Sequence, residues 1–336
     1  MMKPIASLSL DLDNKWCYLR THGVAGWEKY PSYLHVAVPR VLRTCAGRDL
    51  RLTCFVVGRD AERDENRDLL ATVAAAGHEI GNHSHNHYPW MHTLGRELVE
   101  AEITDAEQQI ERATGQRPVG FRSPAYSLSA DTLEVLAERG YEYDATTLPT
   151  YLGPLARWYF RRTASPEAAD EADRRELFGS FCDGLRPIRP YVVDTAAGPL
   201  VEIPITTLPL IRLPIHMTYL WYLWQLSPRL ARFYLRLALS TCRLVGVGPS
   251  VILHPLDLLG GEDEPELSFF PGMRLSRETK QVFVEEFFDQ LAAHYDVRPV
   301  RAQADDVWRQ SGVQRPGRPT RTIAAAQLAV AAAAVE

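Results

Sequence analysis

The chain has 336 residues, of which 46% are hydrophobic and 24% are charged, and its formal net charge is −5. This composition is ordinary for a globular protein with a sizeable buried core, and the acidic balance gives no indication of a nucleic-acid partner. No run of 18 uninterrupted apolar residues occurs, so the sequence does not predict a membrane-spanning helix.

Cysteine usage and the first residues bear on the cellular compartment. Five cysteines, odd in number and widely spaced, fit reduced thiols better than a disulfide framework, and no Cys-x-x-Cys pair suggests a thiolate zinc site. The first residues run straight into strand-like sequence without the apolar region of a secretory signal. A cytoplasmic protein is therefore the expectation, and the sequence makes no prediction of its oligomeric state.

Strand-like and helical segments alternate through the first half of the chain. Periodicity predicts strands at residues 5–12, 52–57, 78–83, 119–121 and 141–146. Helices are predicted at residues 31–46, 64–76, 95–114 and 129–139. Each of these helices is followed by a glycine, which is the usual stop residue.

Beyond residue 150 the alternation loosens. Residues 150–199 are rich in Pro, Arg and Glu and predict an insertion of loops and short helices. The remaining predicted elements are a strand at 201–205, an aromatic helical stretch to about 245, a strand at 250–254, a helix at 276–294 and a last strand at 296–300. Residues 1–309 then form one domain, and 310–336, Arg/Pro-rich and then Ala-rich, are predicted to be a flexible tail.

About seven or eight βα units follow from this reading, and such units predict a parallel sheet with helical crossovers. The sheet could close as a TIM-like barrel or stay open and doubly wound, and both place active sites at the carboxyl ends of the strands. Polar residues stand at or just after those predicted strand ends. They are Asp11, Asp13, His83, His87, Arg122, Asp144 and His254.

Three of these residues have the ligand types of a catalytic zinc site. His83 and His87 supply two imidazoles, Asp13 supplies a carboxylate, and three protein ligands leave a coordination position open. A divalent metal, with Zn²⁺ the first expectation, would lower the pKa of a water molecule toward neutrality. Because side chains alternate along a strand, Asp11 points the same way as Asp13 and could take the proton of that water.

Two further residues complete the predicted chemistry. His254 could protonate a departing amine, and Arg122 could hold Asp11 ionised through a charge-assisted pair. Simpler explanations stay open at this point: a polar loop pair for the two histidines, solvent-facing acids at a strand end, a structural Arg salt bridge and a core histidine at 254. His85 is expected to be a neighbour rather than a ligand, and Ser84 to orient the loop. His22 and His216 are expected in structural or surface roles.

At this point the residues resemble the polysaccharide deacetylase superfamily, also called NodB homology or carbohydrate esterase family 4. The matching motifs, in order, are Asp11-Leu12-Asp13, His83-Ser84-x-x-His87, Arg122-Ser123-Pro124, Tyr143-Asp144 and Leu253-His254-Pro255. The resemblance covers residues 5 to 300. It implies a distorted TIM-like (β/α)7–8 barrel in the α/β class, with the insertion between the fifth and sixth strands, a divalent metal and removal of an N-acyl group from a sugar.

The resemblance also implies roles for individual residues. Asp11 would be the catalytic base, His254 the acid and Arg122 the group that positions the base. Asp13, His83 and His87 would be the metal ligands, and Pro124, Tyr126 and Trp16 the substrate contacts. The spaced Asp-x-Asp motif, in place of adjacent aspartates, is similar to the branch that deformylates lipid-linked aminoarabinose and to some exopolysaccharide-locus deacetylases; it leaves open which acid binds the metal.

Residues 215–245 carry a second pattern. Two tryptophans lie in residues 215–224, and the helix that follows has arginines at 229, 232, 236 and 243. One interpretation is an outer barrel helix with a solvated Arg stripe and an aromatic core. Others are a peripheral membrane contact or lid for a lipid-linked, nucleotide-linked or anionic sugar, and aromatic stacking on sugar rings.

Three functions remain at the end of the sequence analysis. The first is a metal-dependent hydrolase that removes an acetyl or formyl group from an amino sugar or sugar conjugate. The second keeps the site but changes the bond, as an O-deacetylase or a non-sugar amidase. The third is a catalytically silent barrel that binds glycan.

Overall fold

The computed structural model describes residues 3–315. Its strands are β1 (Ile5–Leu12), β2 (Thr53–Val56), β3 (Glu79–Asn82), β4 (Gly120–Phe121), β5 (Tyr143–Asp144), β6 (Tyr191–Thr195), β7 (Gly198–Glu202), β8 (Ser250–Leu253) and β9 (Asp296–Arg298). The helices are α1 (Lys15–Thr21), α2 (Leu34–Ala46), α3 (Gly58–Glu62), α4 (Asp64–Ala75), α5 (Arg96–Thr114), α6 (Ala130–Glu138), α7 (Gly153–Thr163), α8 (Pro166–Arg174), α9 (Met217–Leu226), α10 (Pro228–Leu244), α11 (Arg277–His294) and α12 (Val300–Ser311).

The strands form one mostly parallel sheet. They follow one another in the order β6-β7-β5-β4-β3-β2-β1-β8, all parallel except that β6 is antiparallel to β7, and β9 also pairs with β1. The position of β8 beside β1 is compatible with a barrel and also with the switch point of a doubly wound sheet. The ladder does not close, but a backbone hydrogen bond from Thr206 N to Ser250 O joins the segment after β7 to β8. The α/β prediction is confirmed, with helices around a mostly parallel, barrel-like sheet.

The strand β1 shows how the sheet separates its two faces. Leu8 and Leu10 belong to the large apolar core beneath the outer helices. The alternate residues face polar partners inside the curved sheet, since Ser9 Oγ accepts a hydrogen bond from Arg122, which also pairs with Asp11. This two-residue periodicity is what brings the acids at the end of β1 into the interior of the barrel.

The insertion at residues 150–199 contains more regular structure than the sequence predicted. Helices α7 and α8 lie in it, and so does β6, which forms an antiparallel hairpin with β7. β6 is half-buried rather than core-forming, although Tyr191, Val192, Val193 and Thr195 are residue types favoured in strands.

The carboxyl-terminal boundary needs a correction. Helix α12 extends to Ser311, past the predicted start of the tail at residue 310. Its Trp308 side chain is buried and donates a hydrogen bond to the carbonyl oxygen of Glu142, and Gln303 Oε1 accepts one from Ser7 Oγ on β1. The helix therefore packs on the sheet as part of the domain. The rest of the predicted tail, residues 316–336, lies outside the described residues.

Candidate metal centre and active site

Three predicted ligands come together at the carboxyl ends of β1 and β3. The Nε2 atoms of His83 and His87 lie 3.3 and 3.1 Å from Oδ1 of Asp13. One ligand atom from each of the three residues lies within 4.8 Å of the others, and all three residues are buried. The cluster therefore has the two imidazoles and one carboxylate of a catalytic zinc site, with space left for a further ligand.

Hydrogen bonds prepare these side chains for a metal. His83 Nδ1 lies 2.7 Å from the carbonyl oxygen of Arg122. Donation of the Nδ1 proton to that carbonyl leaves Nε2 with its lone pair toward Asp13, which is the usual outer contact of a metal-binding histidine. Among residues 3–315, Asp13 Oδ1 is a buried atom without a hydrogen-bond partner. A buried carboxylate oxygen without a partner costs folding free energy unless a cation binds it. The three side chains therefore fit a divalent metal.

The electrostatics of the cluster favour an ionised carboxylate. Burial by itself would raise the pKa of Asp13, but the facing imidazoles of His87 and His83 outweigh it and place that pKa well below its usual range. Burial lowers the pKa of His87, which favours the neutral imidazole that a metal requires. Burial would also lower the pKa of His83, but Asp11 and Asp13 raise it overall.

The loop that carries His83 and His87 is held in an unusual conformation. Ser84 and His87 have φ angles of 61° and 51°, in the left-handed region that non-glycine residues seldom adopt. Ser84 Oγ accepts a hydrogen bond from the His87 main-chain N–H, so the prediction that Ser84 orients the loop is confirmed. The carboxylate of Glu102 on α5 accepts hydrogen bonds from the main-chain N–H groups of His85 and Asn86.

The loop is also held by two charged side chains, Arg20 and Glu102, that were not predicted as part of the site. Arg20 on α1 donates hydrogen bonds to the carbonyl oxygens of Asn86 and His87. Glu102 had a signal in the sequence, because it lies on the face of α5 that also carries the buried Val99 and Ile103. A carboxylate at such a position needs a specific partner, and here the partner is the metal-binding loop.

Asp11 and Arg122 form a buried ion pair beside the metal ligands. Nη1 of Arg122 lies 2.7 Å from Oδ1 of Asp11, and the arginine is fully buried. The same guanidinium donates to Ser9 Oγ and the carbonyl oxygen of Ala145, and it lies over the ring of Phe55. The predicted pairing is therefore present, and its hydrogen bonds fix the direction of the Asp11 carboxylate.

His254 lines the same cavity as the metal ligands. Asp11, Asp13, His83, His87 and His254 all line a cavity of about 560 Å³. His254 follows β8, and its main-chain N–H donates to the buried carboxylate of Asp257, which also accepts a hydrogen bond from Trp221. Five of the six residues predicted to act in catalysis and metal binding therefore line one cavity, and the sixth, Arg122, pairs with Asp11.

The expected substrate contacts are only partly at the cavity. Tyr126 lines it, whereas Pro124 is buried behind Ser123 and Ala125, which reach the wall. Trp16 is wrong as a substrate contact, because it is buried and its indole N–H is bound to Asp60. Its ring lies edge-on to His87 with centroids 6.3 Å apart. Trp16 therefore packs against a metal ligand and does not line the cavity.

His216 was expected in a structural or surface role, but it is part of the cavity wall. Its Nε2 lies 3.2 Å from the hydroxyl of Tyr126, and its ring centroid lies 6.5 Å from that of His254. Burial, followed by the charges of His254 and Arg122, holds the pKa of His216 well below its usual range, so the ring is neutral at pH 7. Its position comes from the segment after β7, which no local sequence pattern links to the other motifs.

Asp144, the polar residue of the fourth motif, does not line the cavity. It is buried, and its Oδ1 accepts a hydrogen bond from Thr146 Oγ1. Glu202 is its neighbour on β7, and burial followed by the charge of Asp144 raises the pKa of Glu202 well above its usual range. The pair therefore belongs to the interior of the barrel between β5 and β7.

Comparison with known proteins agrees with the residues of this site. The sequence model of the family described as polysaccharide deacetylase matches residues 27–143, which include the motifs at His83 and Arg122. Over residues 27–143 the chain is therefore similar to the polysaccharide deacetylase family. The first and fifth motifs of this polysaccharide deacetylase-like chain lie outside the matched range, and the structure places them at the same centre.

The similarity to curated relatives is partial. The chain is 30% identical over 110 residues to the peptidoglycan deacetylase of Helicobacter pylori, with 32% of this chain and 36% of that protein covered. It is 32% identical over 106 residues to the chitooligosaccharide deacetylase of Sinorhizobium fredii, with 31% and 48% covered. The chain thus spans less than half the length of these relatives.

A solved structure covers nearly the whole chain. A Mycobacterium smegmatis protein, named as a candidate polysaccharide deacetylase, superposes with a TM-score of 0.61 over 96% of both chains at 20% identity. At that identity the likeness supports the fold. It extends over the insertion and the carboxyl-terminal elements, which lie beyond the range that the family model matches.

Proposed function

We propose that this chain is a metal-dependent hydrolase that removes an N-acyl group from an amino sugar. The observation that carries the proposal is the buried cluster of Asp13, His83 and His87. Nδ1 of His83 is hydrogen-bonded to a carbonyl oxygen, and the Asp11–Arg122 ion pair lies beside the cluster. The names of the relatives, which are deacetylases of peptidoglycan and chitooligosaccharide, agree with an amide of an acetylated sugar.

Each residue of the site would have a separate role in the reaction. Asp13, His83 and His87 would hold a divalent metal, for which zinc is the first candidate because of the imidazole and carboxylate donors. When bound, the metal polarises the substrate carbonyl and lowers the pKa of water. Arg122 pairs with Asp11 and fixes the direction of its carboxylate, so that the other carboxylate oxygen can accept the proton of the attacking water. His254, which lines the same cavity, would donate a proton to the leaving amine.

Matched variants test this assignment. Asp11→Asn removes the base but keeps the shape of the side chain, and we expect amine release from N-acetylglucosamine oligomers to fall about 100-fold or more. His83→Ala should abolish activity together with metal binding. His85→Ala is the control, because His85 lies on the same loop and points away toward Glu62. Unchanged turnover in Asp11→Asn and His83→Ala would contradict the proposal.

The bond that is cleaved can be tested on the same protein. Paired N-acetyl and O-acetyl substrates of one sugar separate an amidase from an O-deacetylase, and we expect faster cleavage of the amide because His254 is placed to protonate an amine. Glycan binding without turnover by fully metal-loaded protein would favour the silent barrel instead.

We also propose that α10 contacts an anionic membrane surface. Its solvent face carries a stripe of exposed apolar side chains, with Leu230, Phe233 and Leu237 between 40% and 58% exposed. No acidic residue occurs in α10, and Arg229 and Arg236 lie exposed beside the stripe. Exposed apolar residues flanked by arginines have the character of a helix that lies in a lipid interface. No helix in residues 3–315 is long and apolar enough to cross a membrane.

The structure divides the arginines of this segment, which the sequence placed on one face. Arg232 is paired with Glu286 on α11 and lies over the ring of Trp224. It therefore belongs to the packing of α10 on the domain, whereas Arg229 and Arg236 face solvent.

Vesicle binding tests the membrane proposal. The full chain should sediment with vesicles of phosphatidylglycerol and phosphatidylcholine but far less with phosphatidylcholine alone. Phe233→Glu should abolish that binding, and Val282→Glu, at an exposed apolar position on α11, should not. Equal binding by wild type and Phe233→Glu would contradict it. A cytoplasmic location, at the inner face of such a membrane, is part of the same proposal, and cell fractionation checks it.

A further inference from the structure

The cavity at the metal centre is polar at one end and apolar along the rest of its wall. The polar end carries the catalytic and metal-binding residues. The remainder is formed by side chains of α1, α7 and α9 and by the segment 269–271. Its volume of about 560 Å³ is that of a site for a small organic molecule rather than for a single acetyl group.

Most of this apolar wall comes from the insertion and the helix that packs against it. Leu152, just before α7, and Leu155, Ala156 and Phe160 of α7 contribute one side. Tyr159 of α7 meets Tyr222 of α9 with ring centroids 5.4 Å apart, which joins the two helices along the cavity. The insertion therefore forms part of the cavity wall.

The polar atoms in this part of the wall offer little to a sugar. Thr21 Oγ1 is bound to the carbonyl oxygen of Cys17, and Thr163 Oγ1 to that of Phe160. Burial lowers the pKa of His22 to about 4, so its ring is neutral at pH 7, and it stacks on Phe269 with centroids 3.9 Å apart. Among the described residues, no Lys, Arg or Glu lines the cavity. Within residues 3–315, Tyr18 Oη and His22 Nδ1 are buried without a hydrogen-bond partner, so a sugar ring here would replace only a few of its hydrogen bonds to water.

The apolar wall continues to the outside of the protein. Leu155, Trp158 and Tyr159 line the cavity and are also 56%, 50% and 40% exposed. They form an apolar rim on α7, and Arg162 lies over the ring of Trp158. A molecule that entered past this rim would exchange water for apolar contacts along its whole path to the metal ligands.

We propose that this cavity binds a hydrocarbon chain of the substrate, so that the substrate is an amphiphile whose amide lies at the metal centre. The inference rests on the proposed function, and it adds the substrate class. The chain could be the acyl group itself or a lipid attached to the sugar, and both have the same chemistry toward this wall. Such a substrate has its polar sugar at the catalytic and metal-binding residues and its chain along a wall that is mostly apolar.

A series of soluble substrates tests the proposal with zinc-loaded full-length protein. N-acetyl-, N-butanoyl- and N-octanoylglucosamine vary the acyl chain, and methyl and octyl glycosides of N-acetylglucosamine vary the lipid, all below their micelle concentrations. In one of the two series kcat/KM should rise about fourfold for each buried methylene, from about 0.8 kcal/mol per group. The series that responds identifies which part of the substrate carries the chain.

A pair of leucine variants provides the matched control. Leu155→Gln places an amide at the rim, and Leu98→Gln makes the same change on α5 at a leucine with similar exposure, 59% against 56%. Leu155→Gln should lower kcat/KM for the long-chain substrate about ten times more than it lowers kcat/KM for the short-chain substrate. Leu98→Gln should change neither. Ala156→Phe, which fills part of the cavity, should shorten the longest chain that is accepted.

The results separate this proposal from the proposed function. If the methyl glycoside is turned over but chain length has no effect in either series, the proposed hydrocarbon-binding site is contradicted. The proposed hydrolase function would still stand. If no substrate is turned over, binding of N-phenyl-1-naphthylamine decides. Fluorescence enhancement that octyl compounds reverse, and that Leu155→Gln but not Leu98→Gln weakens, would support the chain site, and its absence would overturn it.

Discussion

Replacement of Arg122 tests whether the Asp11 carboxylate depends on its buried partner. Arg122→Met keeps much of the side-chain volume over Phe55 but leaves Asp11 as a buried anion without its guanidinium. Removal of one partner of a buried pair costs about 3–5 kcal/mol, because the remaining charge is uncompensated. Ser9 Oγ and the carbonyl oxygen of Ala145 also lose a donor, so the upper part of that range is expected.

The double variant separates the effect of the uncompensated Asp11 charge from the other effects of replacing Arg122. In Asp11→Asn/Arg122→Met both charges are gone, and we expect it to be more stable than the sum of the single changes predicts by about 2 kcal/mol. Urea denaturation of metal-free protein at pH 7 measures each value. Arg232→Met is the control, because the pair with Glu286 is about one-third exposed and should contribute about 1 kcal/mol or less. Additive effects at Asp11 and Arg122 would refute the reasoning.

Three further changes test other parts of the structure. The pKa of His22 falls from 6.5 to about 4 on folding, so the folded state favours the neutral ring. The free energy of unfolding should therefore fall as the pH drops from 6.5 through 4, and it should fall less in His22→Phe. Urea titrations at several pH values measure both. Gly120→Ala would place a Cβ 2.0 Å from the ring of Tyr143, so thermal unfolding should show a loss of about 1–3 kcal/mol. Ser129→Ala removes the hydrogen bond to the Thr132 N–H that caps α6 and should cost about 1 kcal/mol in the same assay. Wild-type behaviour in any of the three would contradict the contact invoked.

The parts of the fold that the sequence predicted are those with local signals. β1 was predicted over residues 5–12, as observed, and Ser129 and Ser276 cap their helices through side-chain hydrogen bonds. The acids after β1 and the histidines after β3 could be placed together, because parallel strands end at the same edge of a sheet.

The elements that were missed lack such signals. Helix α1 has seven residues that are mostly buried, including Lys15, so it has no polar face and no helical periodicity. The apolar positions of α12 form a narrow stripe of Val300, Ala304 and Trp308 within a polar sequence. That stripe becomes meaningful only when the sheet it covers is known, and no helix was therefore predicted at residues 301–309.

The site was predictable in its chemistry and less so in its surroundings. Side-chain types and spacing identified the ligands, the base and its arginine, because these roles require particular functional groups. His216 reaches the site only through the path of the chain after β7, and Trp16 was misassigned because an aromatic residue near a motif can face either the cavity or the core. The apolar cavity depends on α7, which lies in the segment with the weakest periodicity.

The metal content of the purified protein tests the central claim most directly. Elemental analysis should find about one equivalent of zinc or a similar divalent metal in wild type and in His85→Ala. The His83→Ala/His87→Ala variant should retain almost none. An absence of metal from wild type, even after reconstitution, or an equal content in the double variant, would contradict the assignment of Asp13, His83 and His87 as a metal centre.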